Sequence, residues 1–217
     1  MSLGAVIFDC DGVLVDSETI ANEVCAAAMT EAGFAITPQE CRRRYLGMTM
    51  RALMLDAEAS WGRPFPPGWQ EDYNARVHAR LEAEVTAIPG VAEAVDAVAA
   101  AGWPVAVASS SGHAKIALNL GRTGLAARFT GRVFSGQDVP HGKPAPDVYL
   151  LAARTLGVAP VHCIAIEDSP NGVRAAVAAG MRVFGYAAET DPEELAGLGA
   201  EVFTDMARLP GLIGSPP

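Results

Sequence analysis

The pattern of apolar and polar positions divides the chain into short apolar runs and longer amphipathic segments. The first run, "GAVIFD" at residues 4–9, is apolar until it ends in an acid, which predicts a buried strand. After residue 85, helix-like segments alternate with further apolar runs such as "WPVAVASSS" and "VHCIAIEDS". Strands and helices that alternate in this way predict a parallel sheet covered by helices on both faces.

The segment from residue 17 to residue 85 follows a different pattern, with helix-like stretches and no convincing strand. Ser17 is typical of a helix N-cap, and the helical spacing that follows it ends at Gly33. A Pro-rich turn, "RPFPPG", marks a later break. The prediction is therefore an α/β protein with a doubly wound parallel-sheet core of residues 1–16 and 86–217. An all-helical domain of residues 17–85 is inserted after its first strand.

Composition narrows the possible classes of function. Of the 217 residues, 50% are hydrophobic and 19% are charged, which indicates a soluble globular protein. The net charge of −9 argues against a nucleic-acid partner. The apolar stretch Ala5–Phe8 is too short, and too soon followed by acids, for us to expect a signal peptide or a membrane span there. The four cysteines form no C-x-x-C pair and no zinc spacing, so we expect reduced thiols and a cytoplasmic protein.

Residues suited to phosphate chemistry follow the predicted strands, at the carboxyl edge where parallel sheets form their binding sites. Because side chains alternate along a strand, Asp9 and Asp11 lie on the same side of the chain. Clustered carboxylates need a cation, and oxygen ligands beside a phosphate favour Mg²⁺. We expect Ser111 to cap the helix that follows it. The remaining candidates are two serines, a lysine and two acids: Ser109, Ser110, Lys143, Glu167 and Asp168.

Four short motifs, in this order and at these strand ends, resemble those of the haloacid dehalogenase-like superfamily of phosphotransferases. They are "DCDGVLVDSE" from Asp9, "ASS" around Ser109, "GKPAPD" around Lys143 and "IEDS" around Asp168. The resemblance covers essentially the whole chain. It implies a Rossmann-like core and a helical cap at residues 17–85 that closes over the site and selects the substrate, a small phosphorylated metabolite.

The resemblance also implies a role for each residue at the strand ends. Asp9 would be the nucleophile that forms an aspartyl-phosphate, and Asp11 would be the general acid and then the general base. Ser109 and the Ser110 backbone would bind the phosphate, and Lys143 would stabilise the charge of nucleophile and phosphate together.

The implied metal site holds Mg²⁺ between carboxylates of two motifs. Its ligands would be the Asp9 carboxylate, the backbone carbonyl of Asp11 and the Asp168 carboxylate, with Glu167 beside them. Glu167 would bind the ion directly, bind it through water, or serve as a hydrogen-bond partner. The sequence leaves these three alternatives open.

Within the cap, "RRRYLGMTMR" is the segment that suggests substrate binding. Gly47 begins a stretch that resembles the substrate-specificity loop of the family. Arg51, or one of the arginines at residues 42–44, would meet a second anionic group on the substrate. The alternative for residues 42–44 is a solvated helix face, because three consecutive residues cannot all face one pocket.

A small-molecule phosphatase and a β-phosphoglucomutase both fit the core motifs. Mutases of this type carry an arginine and a histidine in the cap where this chain has Met50 and Ala21, which favours the phosphatase. The chain resembles 6-phosphogluconate and related sugar-phosphate phosphatases, and phosphoglycolate is a further candidate substrate. A non-catalytic metabolite sensor is the alternative from another class. We expect a monomer or a weak homo-oligomer.

Overall fold

The computed structural model describes residues 4–45, 48 and 50–214, and the chain divides into two compact units. One unit takes in Met1–Asp16 and Thr86–Pro217, and the other is Ser17–Val85. Among the described residues, no helix combines the length and the apolarity needed to cross a bilayer.

The longer strands and helices alternate in the order that the sequence pattern predicts, and the structure adds short elements that the pattern did not indicate. The strands are β1 (Ala5–Phe8), β2 (Val15–Asp16), β3 (Thr86–Ala87), β4 (Val105–Ser109), β5 (Val133–Ser135), β6 (Cys163–Glu167), β7 (Arg182–Tyr186) and β8 (Glu201–Phe203). The helices are α1 (Glu18–Ala32), α2 (Pro38–Tyr45), α3 (Met50–Trp61), α4 (Trp69–Glu84), α5 (Val91–Ala100), α6 (His113–Arg122), α7 (Asp147–Leu156), α8 (Pro170–Ala178), α9 (Pro192–Gly197) and α10 (Leu209–Ile213).

Six of the strands form one parallel sheet in the order β5-β4-β1-β6-β7-β8. Strand β1 lies inside this sheet, and its Ile7 is in register with Ala106 of β4 and Ala165 of β6. All four residues of β1 are completely buried, as expected for a strand with helices packed on both faces. The predicted α/β class with a doubly wound parallel sheet is therefore confirmed.

The small alanine side chains of the strands allow the covering helices to pack closely on the sheet. On one face, fully buried Tyr149 and Val148 of α7 and Val173 of α8 belong to the same apolar cluster as Ile7 and Ala165. This packing fixes the direction in which α7 and α8 present their first turns to the carboxyl edge of the sheet. That edge is where the candidate site lies.

A two-stranded antiparallel ladder, absent from the sequence prediction, joins the two halves of the sheet-containing unit. In this ladder Val15 pairs with Ala87 and Asp16 with Thr86. The backbone N–H of Ile88 donates to the Leu14 carbonyl at 3.0 Å and extends the contact between the two segments. Two-residue strands carry little hydrophobic pattern, which explains why periodicity did not reveal them.

The helical unit has an aromatic core of its own. Stacked and edge-on rings run from Phe34 through Trp61, Phe65 and Trp69 to Tyr73, with successive centroid separations of 5.9, 5.5, 4.2 and 5.8 Å. The Trp69 indole N–H donates to the Ala28 carbonyl at 3.1 Å and so ties α4 to α1. Helix α1 begins after Ser17, whose side chain makes no capping hydrogen bond, and ends at Gly33 with a φ of 100°.

Candidate active site

Adjacent strands bring three of the predicted motifs together. Strands β4, β1 and β6 are neighbours, so Ser109 at the end of β4, Asp9 after β1 and Glu167 at the end of β6 share one edge. The backbone N–H of Asp9 donates to the Ile166 carbonyl at 2.9 Å, which continues the β1–β6 ladder to the nucleophile candidate. Parallel pairing thus places residues from distant parts of the chain side by side.

Lys143 lies at the centre of this group. It precedes α7, and its ammonium donates to Asp9 Oδ1 at 2.5 Å, to Glu167 Oε1 at 2.5 Å and to the Ala108 carbonyl at 2.9 Å. The side chains of Lys143, Asp9 and Glu167 are 4%, 9% and 0% exposed. All three donor positions of the ammonium are therefore used inside the protein, and Lys143 is not a surface lysine.

Glu167 accepts four hydrogen bonds and is buried completely. Oε1 accepts from Lys143 and from the Tyr149 hydroxyl at 2.6 Å, while Oε2 accepts from the Asp168 N–H at 3.2 Å and the Ser169 hydroxyl at 3.3 Å. Four donors match the four lone-pair positions of a carboxylate. The structure thus shows Glu167 as a hydrogen-bond partner, while direct and water-mediated binding of an ion by Glu167 stay predictions.

Tyr149 is a site residue that the sequence pattern did not reveal. It is fully buried on α7, and its ring lies 4.9 Å from the Lys143 ammonium. The available signal was a tyrosine in the first turn of an otherwise apolar helix face, because a buried phenol needs a hydrogen-bond partner. Only the packing of α7 on the sheet shows that this partner is Glu167.

Burial controls the protonation of this group. It raises the pKa of Asp9 to about 8; Lys143 opposes the shift, and Glu167 and Asp11 add to it. Burial also lowers the pKa of Lys143, but the attraction of Asp9, Glu167 and Tyr149 and the hydrogen bond to Asp9 together outweigh it, so this pKa lies well above its ordinary value. Burial and the Glu167 charge raise the pKa of Tyr149. Lys143 therefore stays cationic and Tyr149 stays a donor.

Three carboxylates at this edge are close enough to share a cation. Single oxygens of Asp9, Glu167 and Asp168 all lie within 4.8 Å of one another. Gly12 has a φ of 82°, and a Cβ there would overlap the Asp168 carboxylate, so a glycine is required at this position. Oxygen donors around an excess of negative charge suit a hard divalent ion.

The Asp11 carboxylate lies beside α6 and has partners that the sequence did not predict. Ser111 donates to Asp11 Oδ2 at 2.6 Å, while Lys115 and Asn119 approach Oδ1 at 2.9 and 3.3 Å. The expectation that Ser111 caps α6 is wrong: Gly112 is the capping residue, and no side-chain cap bond forms. The Ser111 hydroxyl is directed to Asp11 instead.

Ser109 and Ser110 occupy different environments at the end of β4. Ser109 is 1% exposed, and its hydroxyl accepts from the backbone N–H of Ser111 at 3.0 Å. Ser110 is exposed to solvent. Their part in phosphate binding stays a prediction.

The predicted specificity residues belong to the helical unit. Arg51 is exposed on α3, and Gly47 lies outside the described residues. Arg44 donates to Asp56 at 2.7 Å and lies 5.2 Å from the Tyr45 ring, so it is engaged within the unit. Their roles toward a substrate remain predictions.

Known proteins are similar to this chain in both sequence and fold. A family model described as haloacid dehalogenase-like hydrolase matches residues 6–186. The 6-phosphogluconate phosphatase of Escherichia coli (strain K12) is 30% identical over 209 residues, which cover 96% of this chain and 93% of that protein.

Solved structures of related proteins have the same fold. A haloacid dehalogenase family hydrolase from Deinococcus radiodurans R1, with bound phosphate and sodium, matches with a TM-score of 0.83 at 32% identity over 99% of both chains. A structure from Thermotoga maritima, provisionally assigned as a β-phosphoglucomutase, matches with a TM-score of 0.76 at 28% identity over 97% of this chain and 98% of that one.

The chain therefore belongs to the haloacid dehalogenase-like hydrolases, since the family model spans most of its length. Because it is also 30% identical, nearly end to end, to a curated phosphatase of this family, it is an enzyme of the phosphatase class. The resemblance inferred from the four motifs is confirmed.

Proposed function

We propose that the protein is a Mg²⁺-dependent phosphatase that hydrolyses a small phosphorylated metabolite, a sugar phosphate or a phosphorylated sugar acid, through an aspartyl-phosphate on Asp9. The observation that carries the proposal is the buried group at the carboxyl edge of the sheet. There Lys143 binds both Asp9 and Glu167, and Asp168 completes an acidic cluster. The proposed nucleophile, the Lys143 ammonium and the oxygens proposed to bind the metal lie close together, which supports phosphoryl transfer.

In the first step, an Asp9 oxygen attacks phosphorus and the ester P–O bond breaks. The Lys143 ammonium donates a hydrogen bond to Asp9 Oδ1. Within the described residues Asp9 Oδ2 accepts no hydrogen bond, so Oδ2 is the oxygen available for attack. Asp11 gives its proton to the leaving alcohol oxygen. The products of this step are the free alcohol and a phosphoryl group on Asp9.

In the second step, water attacks the phosphorus of the aspartyl-phosphate. Asp11, now ionised, takes a proton from that water, and the Asp9–phosphorus bond breaks to release inorganic phosphate. The Asp9 carboxylate and protonated Asp11 are restored, so the cycle balances. Lys143 keeps the Asp9 carboxylate oriented throughout, because it is itself fixed by Glu167 and the Ala108 carbonyl.

Mg²⁺ would be held by carboxylate oxygens of Asp9 and Asp168 and by the Asp11 backbone carbonyl, and when bound it would neutralise charge on the transferring group. Glu167, the third carboxylate of the acidic cluster, would also contribute through its bonds to Lys143, Tyr149 and the Asp168 N–H. The raised pKa of Asp9 supports a metal requirement, because a neighbouring cation favours the ionised nucleophile.

The choice of substrate rests on the relatives. The matched Escherichia coli protein is named for 6-phosphogluconate, a sugar acid with a phosphate at the far end of its carbon chain. We further propose that the helical unit contributes to this choice, with exposed Arg51 as a candidate contact for a carboxylate.

The test is release of inorganic phosphate from a panel of phosphorylated sugars, sugar acids, phosphoglycolate and p-nitrophenyl phosphate, with and without Mg²⁺. We expect Asp9→Asn to lose more than about a thousandfold in kcat, because the amide is a poor nucleophile. The matched control is Asp96→Asn, which removes an exposed carboxylate of the same unit and should keep normal turnover. Full activity in Asp9→Asn, or no activity in the wild type with Mg²⁺, contradicts the proposal.

The mutase alternative is decided by the fate of the phosphoryl group. A mutase converts β-glucose 1-phosphate to glucose 6-phosphate faster than it releases phosphate, whereas the proposed phosphatase releases phosphate as its main product. Following both products in one reaction separates the two functions.

A further inference from the structure

The Asp11 carboxylate is held on two sides by residues of one short segment. Lys115 Nζ lies 2.9 Å from Asp11 Oδ1, and the Ser111 hydroxyl donates to Oδ2 at 2.6 Å. The Asp11 side chain is 13% exposed and that of Lys115 is 33% exposed. The contact is therefore partly sheltered from solvent, where an ion pair is screened less than on an open surface.

Helix geometry explains why one element supplies this cradle. Lys115 and Asn119 are four residues apart on α6, so their side chains lie on the same face of the helix. Asn119 is completely buried, and its amide N–H₂ is directed at Asp11 Oδ1 at 3.3 Å. Its own Oδ1 is buried with no hydrogen-bond partner among the described residues.

A buried amide with an unsatisfied oxygen is costly and does not help α6 to fold. Its retained bond goes to Asp11, as does the contact of Lys115, which is one of only two lysines in the chain. The other lysine, Lys143, binds Asp9. Asp9 and Asp11 therefore each have a lysine partner of their own.

We propose that Lys115 is a positioning residue that fixes the Asp11 carboxylate beside α6, so that Asp11 meets the oxygen of the departing alcohol. The catalytic part of this inference rests on the proposed function, in which Asp11 transfers that proton. A proton donor must be held within hydrogen-bond reach of its target, and a displacement of about 1 Å costs up to about a hundredfold in rate. Lys115 touches Asp11 and acts through it.

The experiment compares substrates whose leaving groups differ in their need for a proton. The p-nitrophenolate of p-nitrophenyl phosphate departs unprotonated, whereas the alkoxide of 6-phosphogluconate must be protonated as it leaves. The quantity compared is kcat/KM, which reports the steps up to departure of the alcohol and is insensitive to later hydrolysis of the aspartyl-phosphate. The variants are Lys115→Met, Lys115→Arg and the control Arg122→Met, which removes an exposed charge at the other end of α6.

We expect Lys115→Met to lower kcat/KM for 6-phosphogluconate about 10- to 100-fold and that for p-nitrophenyl phosphate less than about threefold. Lys115→Arg should recover most of the loss, and Arg122→Met should match the wild type. Equal losses on both substrates, or no loss on either, overturn the inference. A rise in KM on both substrates, with weaker inhibition by inorganic phosphate, also overturns it, because Lys115 would then bind the phosphate itself.

Crystal structures of the wild type and of Lys115→Met provide a second test, which does not depend on enzyme activity. We expect the Asp11 carboxylate to contact Ser111 and Asn119 in the wild type and to leave that position in the variant. If Asp11 stays in place without the ammonium, Lys115 does not position it. If the wild type hydrolyses no phosphate ester, the proposed function fails, and the crystal structures still decide whether Lys115 holds Asp11.

Discussion

At the scale of single residues, the buried group around Lys143 carries more negative than positive charge. One ammonium faces the carboxylates of Asp9 and Glu167, with Asp168 close by. Unbalanced buried charge is unfavourable, so the group either keeps a proton or takes up a cation. The raised pKa of Asp9 is the first of these outcomes. Mg²⁺ binding would be the second.

This competition predicts how stability depends on pH and metal. The pKa of Asp9 rises from 3.8 to about 8 on folding, so its contribution to stability is fully present below about pH 4 and is lost as the pH rises through about 8. Mg²⁺ would replace the missing proton. We therefore expect Mg²⁺ to raise the Tm of EDTA-treated protein by several degrees more at about pH 8.5 than at about pH 6.

Scanning calorimetry with and without Mg²⁺ at the two pH values measures this difference. Asp9→Asn should show a small Mg²⁺ effect with little pH dependence, while Asp96→Asn should behave as the wild type. An Mg²⁺ effect of the same size at both pH values would show that the ion does not compete with a proton on Asp9.

Residue type and spacing predicted some of the site but not all of it. Asp9 and Glu167 lie at the ends of strands, and Lys143 lies in the loop that carries the "GKPAPD" motif. The rule that parallel sheets form their sites at the carboxyl edge is enough to predict that these residues meet. Tyr149 and Lys115 lie on helices. The direction in which a helical side chain faces depends on how its helix packs, and a rotation of the helix by one residue would turn either side chain away.

At the scale of elements, the first turn of α8 packs against the Glu167 carboxylate. The Ser169 hydroxyl accepts from the Gly172 N–H at 3.1 Å and caps the helix, and Pro170 occupies its first position. A Cβ on Gly172 would overlap the Glu167 carboxylate. Glycine is therefore required there by close approach, although it is a poor helix former.

This close approach predicts opposite effects for two Gly→Ala substitutions in helices. Gly172→Ala should lower the free energy of unfolding by about 1–3 kcal/mol and reduce turnover, because Glu167 must move and it orients Lys143. Gly121→Ala in α6 meets nothing within 4 Å and should raise stability by up to about 1 kcal/mol with normal turnover. Urea unfolding and phosphate release measure both quantities. A stabilised, fully active Gly172→Ala would disprove the contact.

At the scale of the whole molecule, the helical unit is inserted between two paired strands. Asp16 and Thr86, the last residue before the insertion and the first after it, are direct partners in the β2–β3 ladder. The two segments of the sheet-containing unit are therefore held together by this ladder at the point where the helical unit is inserted. Its apolar cluster around Ile7 and Tyr149 also lies entirely within that unit.

Replacement of residues 17–85 by Asn-Gly should therefore give a folded protein, because a two-residue turn of this type connects directly paired antiparallel strands. We expect a single cooperative thermal transition and a circular dichroism spectrum of mixed helix and strand. A control deletion that also removes Val15, Asp16, Thr86 and Ala87 lacks the ladder and should be less stable. Loss of the cooperative transition in the first variant would show that the sheet-containing unit depends on the helical one.

Apolar periodicity and residue spacing alone predict the alternation of strands and helices, the place of the helical insertion and the residues at the carboxyl edge of the sheet. These features can be predicted from local sequence, because periodicity defines each element and the carboxyl-edge rule for parallel sheets identifies the strand ends that form a site. The partners of those residues, namely Tyr149 on Glu167 and Lys115 with Asn119 on Asp11, are set by tertiary packing. A partner depends on the rotation and height of a packed helix, which result from side-chain fit across the whole core and not from any single stretch of sequence.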